Sequence, residues 1–113
     1  MKRFAICLLL VPALSACGSG VSTTFKNQSD HKLESVELSG SGFKASLGIV
    51  APGQSHTIKV YPSGDSALSV SFVANGQSYS YEPQGYFSSG WMFKVSAKVE
   101  RDLTVSVESD IWP

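Results

Sequence analysis

Apolar and polar residues alternate along much of this chain, and the alternation is clearest in residues 91–99. The odd positions of this stretch are apolar, whereas most even positions carry Lys or Ser. Successive side chains of a β-strand point to opposite faces, so the pattern predicts a strand with one face in a core and one in water. Residues 103–108 repeat the pattern after the polar residues 100–102, which predicts an antiparallel hairpin.

A second hairpin is predicted around Asn75-Gly76, because both central residues of a type I′ turn need a positive φ. The stretches on either side carry apolar or aromatic residues that alternate mainly with serine. These residues share one predicted core face: Leu68, Val70, Phe72, Tyr79 and Tyr81.

The upstream half of the chain shows the same periodicity in shorter runs, separated by turns rich in Gly, Pro and Ser. Residues 21–26 are predicted to form a first strand at a sheet edge. The apolar positions expected to face the core are Val36, Leu38, Phe43, Ala45, Leu47, Ile49, Ile58 and Val60. No window shows helical spacing, so we predict an all-β fold, an antiparallel β-sandwich of about 7–8 strands, with a small antiparallel β-barrel as the alternative.

The first seventeen residues differ from the rest of the chain. Met1-Lys2-Arg3 is positively charged, residues 4–11 are apolar, and small residues precede Cys17. These are the parts of a secretory signal peptide, and the apolar run is far shorter than the ~20 residues that span a bilayer. We therefore expect residues 1–16 to be a cleaved signal peptide.

Leu14-Ser15-Ala16-Cys17 resembles the lipobox of bacterial lipoprotein precursors. The resemblance implies that Cys17 is the lipidation site, that it becomes the first mature residue, and that it anchors the chain to a bilayer through fatty acids such as palmitate. The family's usual inner-membrane retention signal is an aspartate after the cysteine. Gly18 in that place implies the outer membrane, facing the periplasm, in a bacterium with two membranes, and the cell membrane surface otherwise.

Length and charge limit what the mature chain can be. Residues 17–20 are then a short tether, and residues 21–113 form one small β-sandwich domain. Cys7 leaves with the leader and Cys17 carries lipid, so no disulfide is expected. The leader contains two of the nine basic residues and none of the nine acidic ones, which leaves the mature chain at −2. Since the sequence has no basic run that would bind a phosphate backbone, we expect no nucleic acid partner.

One segment resembles a catalytic motif. Gly64-Asp65-Ser66-Ala67-Leu68 is similar to the Gly-Asp-Ser-Leu block of a hydrolase family, which would imply a nucleophilic Ser66. In that family the block follows the first strand of an α/β domain, and its serine needs a distant Asp-x-x-His. Neither His31 nor His56 follows an aspartate at that spacing, so we interpret the segment as a turn and predict no catalytic residue.

No metal or cofactor site is predicted either. The two histidines lie far apart and lack a Cys or Glu at ligand spacing, whereas a metal needs three or four convergent ligands. Asn27-Gln28-Ser29 matches the glycosylation sequon in form, but we interpret it as a turn because a bacterial lipoprotein is not expected to meet that machinery.

Aromatic residues are concentrated late in the chain. Alternation places Tyr79, Tyr81, Trp91 and Phe93 toward the core, which leaves Tyr86 and Phe87 in a predicted loop at 83–90. Loop aromatics either anchor a partner or cap the end of a sandwich, and we favour packing over binding. Trp112 presents the same choice at the C-terminus.

These observations favour a non-enzymatic accessory or binding lipoprotein that contacts another envelope protein through loops or a sheet edge. A Pro-Gly turn before an alternating strand resembles bacterial immunoglobulin-like and transthyretin-like sandwiches, which implies a fold class. Ser39-Gly40-Ser41-Gly42-Phe43 resembles the Ser-Gly loop of lipoprotein lysozyme inhibitors, so an enzyme inhibitor is the alternative function. A small hydrolase is the third alternative.

Overall fold

The structure is a computed structural model that describes residues 20–88 and 93–111. The described residues form eight β-strands and no helix, and so contain no helical segment that could cross a membrane. The strands are β1 (Val21–Asn27), β2 (Leu33–Gly40), β3 (Phe43–Val50), β4 (Ser55–Val60), β5 (Asp65–Ala74), β6 (Gln77–Ser88), β7 (Phe93–Val99) and β8 (Val105–Ile111).

The strands form two four-stranded sheets, in the orders β4-β1-β7-β8 and β3-β2-β5-β6. The predicted β-sandwich is therefore confirmed, and the described strands do not close into the alternative barrel. One pairing departs from the antiparallel pattern: β1 lies parallel to β7, with Ser22 beside Lys94 and Lys26 beside Lys98.

The prediction that residues 21–26 form an edge strand is wrong. β1 pairs with β4 on one side and with β7 on the other, so it lies inside its sheet. Its alternation of apolar and polar residues is the same in either place, because the period of two reports which face is buried and not which strands are neighbours.

The late hairpin follows its prediction. The odd positions of β7 and the first residue of β8 are buried, whereas Lys94 and Ser106 on the opposite face are exposed. Leu103 N donates to Glu100 O at 2.9 Å and closes the turn between the two strands. The buried residues of this hairpin are Phe93, Val95, Ala97, Val99, Leu103 and Val105. Trp91, the remaining predicted core residue here, lies outside the described residues.

The Asn75-Gly76 hairpin is also confirmed. Both turn residues have a positive φ, 53° and 75°, as a type I′ turn requires. Tyr79 stacks on Phe72 with ring centroids 5.3 Å apart, and Tyr81 stacks on the same ring at 6.1 Å. The paired strands therefore pack their aromatic residues on the core face, as their alternation indicated.

One predicted core residue is wrong. Ile49 is 57% exposed, and Val50 is fully buried instead. The register between β2 and β3 shifts on both sides of Val36, and Gly48 has a φ of 72°. An irregularity of this kind interrupts the alternation, so the residue after it changes faces.

The predicted loop at 83–90 is wrong for its described residues, because β6 continues through Ser88. Pro83 lacks an N–H, but β6 is an edge strand, where a missing donor leaves no interior ladder bond unmade. The register with β5 shifts on both sides of Leu68, and Gly85 has a φ of 75°. The strand is thus irregular without ending.

Within this strand Tyr86 and Phe87 have different environments. Phe87 is fully buried and its ring lies 6.1 Å from that of Phe43. Tyr86 is 55% exposed, packs edge-on against Phe93 and donates its hydroxyl to Asp65 Oδ1 at 3.0 Å. The preference for packing fits Phe87, whereas Tyr86 lies on the surface.

Neighbouring residues of β7 test the face assignment. Val95→Ala should lower the free energy of unfolding by about 1–3 kcal/mol, because it leaves a cavity beneath a fully buried side chain. Ser96→Ala, on the other face, should change it by less than ~0.5 kcal/mol. If urea unfolding gave equal decreases in the free energy of unfolding for the two variants, the assignment of buried and exposed faces in this strand would be contradicted.

The aromatic pair on β6 gives a second test. Phe87→Ser removes a fully buried ring and should lower the thermal midpoint by roughly ten degrees or more. Tyr86→Ser should move the midpoint by no more than a few degrees, because the side chain it removes is largely in water. A larger loss for Tyr86→Ser than for Phe87→Ser in a thermal scan would show that the alternation fails at the end of β6.

Candidate functional site

Asn27, the last residue of β1, carries a fully buried amide whose atoms are all hydrogen-bonded. Its Nδ2 donates to His31 O at 2.7 Å and to Val50 O at 3.1 Å. Its Oδ1 accepts from Ser29 N at 2.9 Å and from Ser29 Oγ at 2.6 Å. The latter bonds form an Asx turn, which agrees with the interpretation of Asn27-Gln28-Ser29 as a turn.

Backbone bonds at the same point join the ends of further elements. Asn27 N donates to Gln54 O at 3.0 Å, and Gly53 N donates to Asn27 O at 2.8 Å. Gln28 N donates to Val99 O at 2.8 Å, which connects the end of β7. Gly53 has a φ of 80° after Pro52, as a type II turn requires, so the predicted turn at 51–54 forms here.

These segments surround an open depression of about 790 Å³ at one end of the sandwich, called here the end depression. The side chains and backbone that line it come from the end of β1, the turn before β4 and the turn between β7 and β8. The lining residues are Lys26, Asn27, Gln28, Gly53, Glu100, Arg101 and Asp102.

The rim of the end depression carries both signs of charge. Asp102 Oδ1 accepts from Thr104 Oγ1 at 2.6 Å and from Thr104 N at 3.1 Å, and these bonds lower the pKa of the Asp102 carboxyl. Arg101 lies 3.8 Å from Asp30, and both side chains are more than three-quarters exposed. A pair that is so exposed contributes little to stability, so its charges stay available to a polar partner.

The serine of the hydrolase-like segment has a structural role in this arrangement. Ser66 Oγ accepts from Ser41 N at 3.0 Å and donates to Ala67 O at 3.0 Å. A side chain at Gly40 would lie 2.5 Å from this oxygen and 2.4 Å from the Phe43 ring. The hydroxyl therefore stabilises the turn between β2 and β3. The interpretation of the segment as a turn is wrong beyond Gly64, because β5 begins at Asp65 and the alternation of buried and exposed residues already includes Ser66.

The Ser-Gly segment at 39–43 is itself a tight hairpin turn. Ser41 Oγ donates to Ser63 O at 3.2 Å, and Ser63 N donates to Ser41 O at 2.9 Å. Gly42 has a φ of 78° and leaves room for the Ser63 side chain. These bonds hold the segment against the neighbouring turn.

The histidines occupy separate environments. His31 is half-buried, and its Nδ1 lies 3.1 Å from Asn75 Nδ2 in the hairpin turn between β5 and β6. His56 is half-buried on β4, and its Nε2 is buried without a hydrogen-bond partner among the described residues. Within residues 20–88 and 93–111, no group of three or more His, Cys, Asp or Glu side chains is placed to hold a metal ion.

One side of the sandwich is closed by side chains that reach from β6 to β8 and its preceding turn. Tyr81 donates its hydroxyl to Leu103 O, and Gln84 Nε2 donates to Val105 O at 3.1 Å. Burial, reinforced by the nearby Tyr79 and Asp102, raises the pKa of the Tyr81 hydroxyl, which favours its role as a donor. The aromatic alternation pointed to Tyr81, but nothing local identified its acceptor.

The other side, between the edge strands β3 and β4, is an open groove of about 390 Å³. Tyr61 at its end is 60% exposed and covers Gly20, where a side chain would meet the Tyr61 ring at 2.9 Å. The groove is lined by Gly42, Phe43, Lys44, Ala45, Lys59, Val60 and Tyr61. The predicted lipidation site, Cys17, and Trp112 lie outside the described residues.

No model of a known protein family matches the chain, and no curated protein matches it in sequence. In three dimensions it is similar to a protein from Eubacterium rectale whose structure was determined by NMR. The TM-score is 0.60 with 11% sequence identity, and the similarity covers 88% of this chain and 94% of that one. At this identity the likeness concerns the fold alone.

Proposed function

We propose that the protein is a lipid-anchored envelope lipoprotein that acts as a non-enzymatic binding module, and that its partner contacts the end depression. The observation that carries the proposal is the direction of β1. Gly20, the last residue of the expected tether, precedes β1 at one end of the strand, and Asn27 ends the strand at the end depression. A strand of this length separates the two by about 20 Å.

Two features of the end depression support protein binding. The end of β1 is hydrogen-bonded to the end of β3 by the Asn27 side chain, to the turn at 51–54 by the Asn27 backbone and to the end of β7 by Gln28 N, so a partner would meet a surface that is already ordered. Its rim presents Lys26 and Arg101 together with Glu100 and Asp102, which gives charges of both signs for a polar contact.

A non-enzymatic role is supported by the use of Ser66, whose hydroxyl is bonded to Ser41 N and Ala67 O. A nucleophilic serine needs a base within hydrogen-bond reach, and none of the hydrogen bonds made by this hydroxyl involves a histidine. The lysozyme-inhibitor alternative gains no support from the Ser-Gly segment, since that segment is a hairpin turn held by Ser63.

The anchor is tested by metabolic labelling with a clickable fatty acid. Cys17→Ser should abolish both the label and the recovery of the chain with membranes, because it removes the thiol that takes the lipid. Cys7→Ser is the matched control, since it removes a leader cysteine and should leave both unchanged. Retained label on Cys17→Ser would contradict the anchor.

The partner surface is tested by site-specific photo-crosslinking in the producing cell. A photoreactive residue at Gln28, on the rim of the end depression, should give discrete crosslinked species. The same residue at Ser80, which is exposed on β6 and outside the depression, is the control and should give none of them. Arg101→Glu should weaken the Gln28 crosslinks by reversing a rim charge.

Two outcomes would count against this surface. Crosslinks of equal yield from Gln28 and Ser80 would mean that contact is unspecific. Strong crosslinks from Ser80 together with none from Gln28 would place the partner on the outer face of the second sheet.

A further inference from the structure

Strand pairing gathers four of the seven basic residues of the mature chain on the outer face of β4, β1 and β7. In register across the three strands, Ser22 of β1 lies between Lys59 and Lys94, Thr24 between Thr57 and Ser96, and Lys26 between Ser55 and Lys98. We call these nine residues the lysine face. It consists of lysine ammonium groups and hydroxyls, because the apolar positions of the same strands point into the core.

The charge of the lysine face is largely unbalanced. Lys26, Lys59 and Lys98 form no ion pair with any residue in the described ranges. Acidic residues on this side of the molecule lie on the neighbouring edge strand β8, where Asp110 is in register with Lys94 and Glu108 with Ser96. The face is thus positive across three strands, although the mature chain carries −2.

The chemistry of the face indicates the kind of anion that it fits. It contains no arginine, so it offers no planar fork for bidentate recognition of a single phosphate. None of its nine residues is aromatic, so between the lysines there is no platform on which nucleic acid bases or sugar rings would stack. Flexible lysines that lie about 5 Å apart on paired strands, as Lys26 and Lys98 do, and ~13 Å apart along a strand, as Lys94 and Lys98 do, suit a flat, repeating layer of anions.

The position of the face relative to the N-terminus identifies that layer. Lys59 and Lys94 lie at the end of the sheet where Gly20 enters β1, and Tyr61 continues the face beyond Lys59 with 60% of its surface exposed. Tyrosine and lysine are typical of protein surfaces at a bilayer interface. The tether from Cys17 to Gly20 spans at most ~11 Å, which holds this end close to the lipid headgroups.

We infer that the lysine face docks against the anionic phosphate groups of the membrane that holds the anchor. The inference rests on the proposed function, because the anchor raises the effective concentration of the face at the membrane, so that a weak charge attraction becomes stable docking. The domain then lies with its first sheet against the bilayer, and the end depression opens along the membrane plane.

Lysine labelling of the full chain tests this docking. The protein is expressed with its own leader, purified in detergent and reconstituted in vesicles of phosphatidylcholine, with or without anionic phosphatidylglycerol. Acetylation rates of each lysine are read by mass spectrometry. Because each lysine at such a surface is worth about fivefold in partitioning, Lys26, Lys59 and Lys98 should react about fivefold more slowly on anionic than on neutral vesicles.

Two internal controls accompany the labelling. Lys32 and Lys44, which pair with Glu34 and Glu37 on the second sheet, should react at the same rate on both kinds of vesicle. Protection of the lysine face should disappear at about 1 M salt, where the Debye length falls to ~3 Å. Protection that survives this salt concentration would contradict an electrostatic contact.

Charge variants give a second readout. The double variant Lys59→Gln, Lys98→Gln should lose the protection of Lys26 on anionic vesicles. The control double variant Lys32→Gln, Lys44→Gln removes the same amount of charge on the side of the second sheet, and Lys26 should stay protected in it. When lipid is stripped from Cys17, binding to anionic vesicles at low salt should remain and should fall about 25-fold in the Lys59→Gln, Lys98→Gln variant.

The outcomes separate the docking from the anchor. A protein that floats with neutral vesicles but shows no protection on anionic ones keeps the anchor and overturns the docking. A protein that fails to float with neutral vesicles but binds anionic ones through the lysine face overturns the anchor and supports the docking. Binding to a soluble acidic polysaccharide or to duplex DNA without binding to anionic vesicles overturns the membrane assignment in favour of a free polyanion.

Discussion

The buried amide of Asn27 is the interaction on which the geometry of the end depression depends. One side chain bonds the loop after β1 through His31 and the end of β3 through Val50, while its backbone bonds the turn at 51–54. The bond to His31 is local, whereas the bonds to Val50 and to the turn at 51–54 join parts of the chain that are distant in sequence. Leaving any of the buried polar atoms unpaired would cost about 1–3 kcal/mol, so the arrangement holds as a unit. Lys26 on the rim is displayed from a strand end fixed in this way, whereas Glu100, Arg101 and Asp102 are displayed from the turn that the bond from Leu103 N to Glu100 O closes.

The two sides of the sandwich differ in how their strand edges are covered. Between β6 and β8, the side chains of Tyr81 and Gln84 donate to the carbonyls of Leu103 and Val105 across the gap and satisfy part of the edge formed by β8 and its preceding turn. Between β3 and β4 there is a groove instead, with Lys44 and Lys59 on its walls. Charged side chains and the bulge at Gly48 discourage another strand from pairing with this edge. The molecule thus limits edge-to-edge association without covering both sides.

The distribution of charge follows from the fold and bears on how the molecule meets its surroundings. The lysine face lies on the first sheet, whereas Glu34 and Glu37 lie on β2 in the second. Glu34 and Glu37 are paired with Lys32 and Lys44, so their charges are largely balanced, and an anionic surface would attract the lysine face more strongly than the second sheet. An anchor at Cys17 would place the domain within reach of such a surface.

The sequence by itself determined the features that depend on local order along the chain. Alternation of apolar and polar residues fixes which side chains of a strand are buried, so the all-β class, the Asn75-Gly76 turn and the core positions of β7 were predictable. The lipobox-like segment ending at Cys17 is also a contiguous signal, and the anchor that it indicates stays a prediction. The sequence singled out Tyr81 by the alternation of aromatic residues and Asn27 by its place in a sequon-like triplet. It did not identify the groups to which these side chains form hydrogen bonds.

The tertiary structure decided everything that depends on which strands become neighbours. Nothing local shows that β1 lies parallel to β7, and therefore nothing local shows that Lys26 lies beside Lys98. Irregular registers at Gly48 and Gly85 moved Ile49 to the surface and carried β6 past Pro83, because an interruption of a period-two pattern becomes visible only against a partner strand. The end depression and the lysine face arise in this way: each joins segments that are far apart in sequence, and their proximity is set by pairing and packing across the whole domain.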